Sequence, residues 1–126
     1  MTRRAYNSSI APRPAGPYSS GVAAGHFLIV SAQLPLAPDG TVVAGDAAEQ
    51  ARRCLDNVAH QLRSQGFGLE SVVELVVYAV HAEDETAIDA VLAERFGDPG
   101  PARTLVGVAW VPHGARLQVA ALAVRY

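Results

Sequence analysis

The sequence predicts an α+β sandwich: a mixed sheet with two helices on one of its faces. Three observations predict it. Two stretches, residues 46–66 and 84–96, carry apolar side chains at helical spacing. Apolar runs rich in β-formers lie before, between and after them, giving the order β-β-(β)-α-β-α-β-β. One of these runs, Val72 to Val80, is almost continuously apolar, the pattern of a strand covered on both faces.

The elements follow in order. Residues 1–17 are polar and hold Pro12, Pro14 and Pro17, which predicts an extended arm. Gly16 to Gly21 reads as a turn entering a strand, and Val22 to His26 as a strand end and tight turn. Phe27 to Ser31 is the clearest strand of the first half, and Leu34-Pro35 closes it after the polar Ser31-Ala32-Gln33. Asp39-Gly40 signals a turn, and Thr41-Val42-Val43 a short edge strand. Asp46 is placed to cap the first helix, with Glu49 completing a capping-box pattern. Ala47, Ala51, Cys54, Leu55, Val58 and Leu62 form its apolar stripe, and Arg52, Arg53, Asp56, Gln61 and Arg63 its polar face. Asn57 lies beside the stripe and therefore needs a hydrogen-bond partner. Gly66 and Gly68 end the helix. The Val72–Val80 strand carries one charge, Glu74. The second helix, Asp84 to Phe96, buries Ala87, Ile88, Val91, Leu92 and Phe96. A rigid loop, Gly97 to Pro101, leads to Arg103 and a strand that Pro112 closes. His113-Gly114 makes a hairpin turn, and Arg116 to Val124 is the final strand.

With 126 residues, the chain fits one domain spanning 1–126, with one core. Half of the residues are hydrophobic and 17% are charged, so part of the apolar surface is expected to be buried against another subunit. The two helices cover one sheet face, no third is available for the other, and copies of the same chain are the simplest cover. Net charge is -2 and the pI is about 6.0, which gives no basic field for nucleic acid. A single cysteine, Cys54, excludes an internal disulfide and a cysteine-based metal cluster. Met1-Thr2-Arg3-Arg4 is charged without an apolar segment behind it, so no signal peptide is expected, and no apolar run is long enough to span a bilayer. A soluble, cytoplasmic protein is the expectation.

Arg103 is the leading candidate for chemistry. A guanidinium at a strand entrance, after a Pro/Gly-rich loop, is placed to fork onto a carboxylate; an ordinary strand-end charge is the plainer reading. Cys54 falls on the apolar helix face and reads as a small core residue. His26 reads as a hairpin residue, and His60 and His81 as solvated or capping. No histidine pair has ligand spacing, so no metal is expected. His113, with an imidazole's ordinary pKa near neutrality, stands before the final strand as a candidate acid. Glu74 either pairs across subunits or lines an assembly interior, because a lone buried carboxylate is costly.

Gly16-Pro17-Tyr18-Ser19 and Val30-Ser31-Ala32-Gln33-Leu34-Pro35 resemble the GPYS and VSGQ(I/L)P segments of the RidA (YjgF/YER057c/UK114) family. Glu49 to Val58 is similar to that family's (E/A)QxRxxLxN helix, Pro101-Ala102-Arg103-Thr104 to its PARS/PART motif, and Leu122-Ala123-Val124 to its closing strand. The resemblance covers nearly the whole chain, in order. It implies a chorismate-mutase-like fold assembled as a homotrimer, with a central barrel of sheets and three clefts between subunits. It implies hydrolysis of small, carboxylate-bearing 2-enamine and 2-imine acids to 2-oxo acids and ammonia, without a cofactor. Arg103 would bind the substrate carboxylate. Tyr18 would sit in the site, and the Ser31-Ala32-Gln33 segment would line it.

The chain departs from the family pattern at several positions. Gln118 stands where deaminating members have the glutamate that activates water. Its amide can hold a water but cannot exchange a proton near neutral pH. Leu105 replaces a common cysteine, Ala32 a glycine and Asp89 an asparagine, and Trp110 occupies a common basic or polar position. Asp89 reads as a surface residue, though it and His113 are both open as substitutes for the missing acid. Trp110 reads as surface, interface or pocket wall. Three readings stand: an imine hydrolase that relies on anchoring and water positioning, a relative with a different and more apolar substrate, and a non-catalytic carboxylate binder. The family name endoribonuclease is disfavoured by the acidic charge balance.

Overall fold

The computed structural model describes residues 2–125; Met1 and Tyr126, the outer ends of the expected 1–126 domain, lie outside the described residues. Six strands form one mixed sheet: β1 (Arg4–Tyr6), β2 (Gly21–Ala24), β3 (Phe27–Gln33), β4 (Val72–Ala79), β5 (Ala102–Gly107) and β6 (Leu117–Val124), in the order β1-β2-β3-β6-β4-β5. Only β4 and β5 run parallel, joined through α2 (Glu85–Phe96); the other pairs are antiparallel. α1 (Ala47–Arg63) and α2 pack on the same core, so the expected α+β sandwich with helices on one face is the observed fold.

Strand alternation builds that core. Leu28 and Val30 of β3, Leu75 and Val77 of β4, and Leu117 and Val119 of β6 face the helices and are buried. Ala51, Cys54, Leu55, Val58 and Leu62 of α1 meet them, with Ile88 and Val91 of α2. Burying each of the larger aliphatic side chains contributes about 1.5–3 kcal/mol relative to exposure. Cys54 is fully buried, and burial pushes its thiol pKa up, so it packs as a core residue. Asp46 caps α1 by accepting from the Glu49 N–H at 3.0 Å. The Glu49 carboxylate is engaged by Arg52 at 3.0 Å, so half of the expected capping box forms.

Several expectations are corrected. The N-terminal arm is partly a strand: β1 pairs antiparallel with β2, Tyr6 opposite Gly21. Gln61, expected on the polar face of α1, is fully buried. Its Oε1 accepts from the Ser8 N–H at 2.9 Å and its Nε2 donates to Asn7 Oδ1 at 2.9 Å, so it fastens the arm to the helix. Thr41–Val43 forms an isolated bridge, Leu36 opposite Val42, and not an edge strand. β5 ends at Gly107, before the expected Pro112. His60 is half-buried, its Nδ1 has no partner among the described residues, and burial lowers its pKa. Glu74 is exposed in the single chain, beside a register shift between Val72 and Glu74. The face of β4 turned away from the helices is open in the single chain, the face left for another copy to cover. Phe27, Ile29, Val73 and Val106 are exposed large apolar side chains.

Tyr6 makes a test of the arm. Its hydroxyl donates to the Ile29 carbonyl at 3.1 Å, and a Cβ added at Gly21 would fall inside its ring. Gly21→Ala is expected to destabilise the fold by about 1–3 kcal/mol, as overpacking does. Urea denaturation measures this, and Tyr6→Ala in the same chain should recover part of the loss. No change in midpoint would mean that the ring is not seated there. No helix among the described residues is long and apolar enough to cross a membrane.

Candidate functional site

The parallel register of β5 against β4 sets Arg103 opposite Leu75 and Leu105 opposite Val77. Paired residues share a sheet face, and Leu75 and Val77 face the helices. Arg103 and Leu105 therefore point to the helix side of an edge strand. There Arg103 borders a cavity of about 220 Å³, walled by Leu75, Leu92, Phe96 and Pro101, with Asp89 on its rim.

The guanidinium forks onto a carboxylate, as expected of its position, but the carboxylate belongs to this chain. Arg103 Nε donates to Asp89 Oδ1 at 3.0 Å, and Nη2 donates to Asp89 Oδ1 and Oδ2 at 2.6 and 2.5 Å. Nη2 also reaches Glu85 Oε2 at 3.2 Å. The Asp89 hydrogen bond holds the Arg103 pKa above its ordinary value. Asp89, read from the sequence as a surface residue, is thus ion-paired at the cavity. The sequence reading missed Glu85. The signal was present: Glu85 and Asp89 are four apart on α2 and so share a helix face.

Gln118 lies elsewhere. It pairs with Tyr78 in β6–β4 register, on the face opposite Leu117 and Val119, so it points to the open side of the sheet. One chain therefore places Arg103 and Gln118 on opposite faces.

Tyr18, Ala32 and Gln33 do come together. They line a small cavity of about 30 Å³ with Arg13 and Asn57, beside β3 and apart from Arg103. Three strand spacings separate β3 from β5, roughly 14 Å. Tyr18 is largely exposed, and Gln33 is buried at a bulge in β3, with its Nε2 donating to the Ser31 carbonyl at 2.9 Å. Ser31 Oγ donates to the Ser19 carbonyl at 2.7 Å, tying the Tyr18 segment to β3. Asn57 finds the partners its position required: its Nδ2 donates to the Leu34 and Leu36 carbonyls at 3.0 and 2.9 Å, fixing the turn after Gln33. Its Oδ1 is buried without a partner among the described residues.

His113 occupies a left-handed backbone position, φ 63°, beside Gly114 at φ 67°. It borders an open groove between residues 7–15 and the Leu36–Gly40 turn, not the Arg103 cavity. Trp110 is exposed in the single chain. A further ion pair is structural. Arg116 Nε donates to Asp84 Oδ2 at 2.8 Å, compensating a carboxylate that is almost wholly buried. Among the described residues, no group of three or more His, Cys, Asp or Glu is placed to hold a metal ion.

A family model described as Endoribonuclease L-PSP matches residues 8–125. A RutC family protein of Pyrococcus horikoshii is 37% identical over 114 residues, 90% of each chain. The 2-iminobutanoate/2-iminopropanoate deaminase of Capra hircus is 32% identical over 126 residues, covering 99% of this chain and 92% of that one. Escherichia coli TdcF, solved with bound serine, superposes with a TM-score of 0.91 at 30% identity, over 98% of this chain and 99% of that one.

Proposed function

The chain belongs to the RidA (YjgF/YER057c/UK114) family, and on that premise we propose that it acts on small 2-imino or 2-enamine acids, hydrolysing them to 2-oxo acids. The observation that carries this reading is Arg103 on the rim of an apolar cavity in a chain related to imine deaminases. The cavity suits a short alkyl group, and the guanidinium suits the adjacent carboxylate.

In this reaction water adds to C2 of the C=N bond, and the resulting carbinolamine expels ammonia to leave the 2-oxo acid. The chain contributes anchoring at Arg103 and water positioning at Gln118, whose amide oxygen accepts from the water and whose nitrogen donates. Arg103 and Gln118 face opposite sides of the sheet, so the site is completed by a neighbouring copy, which brings its Gln118 face against the Arg103 side of the first. The exposed Phe27, Ile29, Val73 and Val106 make the open face suitable for that contact. A homotrimer in the cytoplasm, each subunit one domain over 1–126, is the assembly this reading requires.

A second reading, a carboxylate binder without turnover, is favoured by Gln118 in the water-activating position. RNA cleavage is disfavoured: the net charge is -2, and the open sheet face presents apolar rather than basic side chains.

A threonine dehydratase generating 2-iminobutanoate in place provides the test. Purified protein should hasten 2-oxobutanoate release above the uncatalysed rate. No acceleration, with retained carboxylate binding, would select the binder. A monomer by light scattering at micromolar concentration would remove the shared site.

A further inference from the structure

We infer that Asp89 and Glu85 determine the charge specificity of the Arg103 site, making it select a zwitterion: a small acid with a protonated amine or imine nitrogen beside its carboxylate. The inference rests on the proposed reading of Arg103 as the carboxylate clamp and adds what that clamp discriminates.

An arginine offers five N–H donors in a rigid fork. Asp89 occupies the Nε–Nη2 edge, the one best suited to a carboxylate, and Nη2 is shared with Glu85. Nη1 makes no hydrogen bond among the described residues and is the donor left for an incoming carboxylate. One positive group faces two negative ones, so the cluster as a whole repels a simple monoanion.

A zwitterion resolves both problems. Its carboxylate accepts from Nη1, while its N–H⁺, one carbon away, donates to Asp89 or Glu85. Each of these carboxylates has lone pairs to spare and is partly open to solvent, with side-chain exposures of 46% and 55%. The adjoining wall of Leu75, Leu92 and Phe96 takes the short alkyl group. A protonated 2-imino acid has this charge pattern, and its 2-oxo product does not. The same carboxylates would thus favour substrate over product.

The test uses stable ligands of matched length at pH 7 on the purified oligomer: L-2-aminobutanoate as the zwitterion, with butanoate and 2-oxobutanoate as monoanions. Calorimetric titration should show the wild type binding the amino acid at least about tenfold more tightly than either monoanion. Asp89→Asn, which preserves shape, should strengthen both monoanions about tenfold and collapse the preference. Equal wild-type affinities, or equal strengthening of all three ligands by Asp89→Asn, overturn the inference. Arg103→Ala separates it from its premise. Binding that persists unchanged in Arg103→Ala removes the clamp itself, whereas dependence on Arg103 without charge preference removes only the zwitterion selectivity. Wild type binding none of the three overturns both.

Discussion

Gln118→Glu will accelerate imine hydrolysis by about 10²–10⁴-fold in the dehydratase-coupled assay, the range general acid–base catalysis typically contributes. The amide of Gln118 orients water but carries no exchangeable proton near neutral pH. A glutamate of nearly the same shape adds that exchange. Gln118 is half-buried in the single chain and, in the proposed assembly, faces the water-holding shared site, so the fold should tolerate the new charge. Comparing single-turnover rates of wild type and variant checks this. Gain from an inactive wild type would identify a scaffold that binds without turning over. A variant no faster than wild type would mean that water is activated elsewhere, and His113, on its separate groove, would be the next residue to replace.

Arg103→Ala will lower kcat/KM by at least about 10²-fold, since hydrogen bonds to charged groups contribute about 1.5–3 kcal/mol each and a carboxylate clamp uses more than one. The loss should be functional and not structural. The Arg103 pairs with Asp89 and Glu85 are partly exposed, and such pairs contribute about 0–1 kcal/mol to stability. An unchanged denaturation midpoint beside the kinetic loss is therefore expected. Arg103→Lys keeps the charge but loses the planar fork, and should fall between wild type and Arg103→Ala. Wild-type kcat/KM in Arg103→Ala would show that the substrate carboxylate is held elsewhere.

The two experiments address different faces of one sheet. Arg103 shares register with the buried Leu75, and Gln118 with Tyr78. If each variant changes turnover, residues that a single chain keeps apart act on one reaction, and that is the kinetic signature of a site completed by a second copy. Mixed oligomers of Arg103→Ala and Gln118→Ala chains, each impaired alone, would then regain part of the activity.

The parts of the fold legible in the sequence are those governed by local periodicity. The α1 stripe of Ala47, Ala51, Cys54, Leu55, Val58 and Leu62 is buried as spaced, and Asp46 caps the helix. The existence of β3 and β6 as strands and the two-helix, one-face arrangement also follow from pattern. Gln61 was misplaced because helical spacing gives the direction of a side chain, not what covers it; the arm carrying Asn7 and Ser8 lies over that direction.

By itself the sequence determined the element order, the core stripes and the residues able to do chemistry, because propensity and hydrophobic period act over a few neighbours. Only the tertiary structure decided where those residues meet. The parallel β4–β5 register turned Arg103 toward α2 and onto Asp89 and Glu85, and the β6–β4 register turned Gln118 the other way. Strand pairing joins segments far apart in the chain, and a shift of one residue moves a side chain to the opposite face.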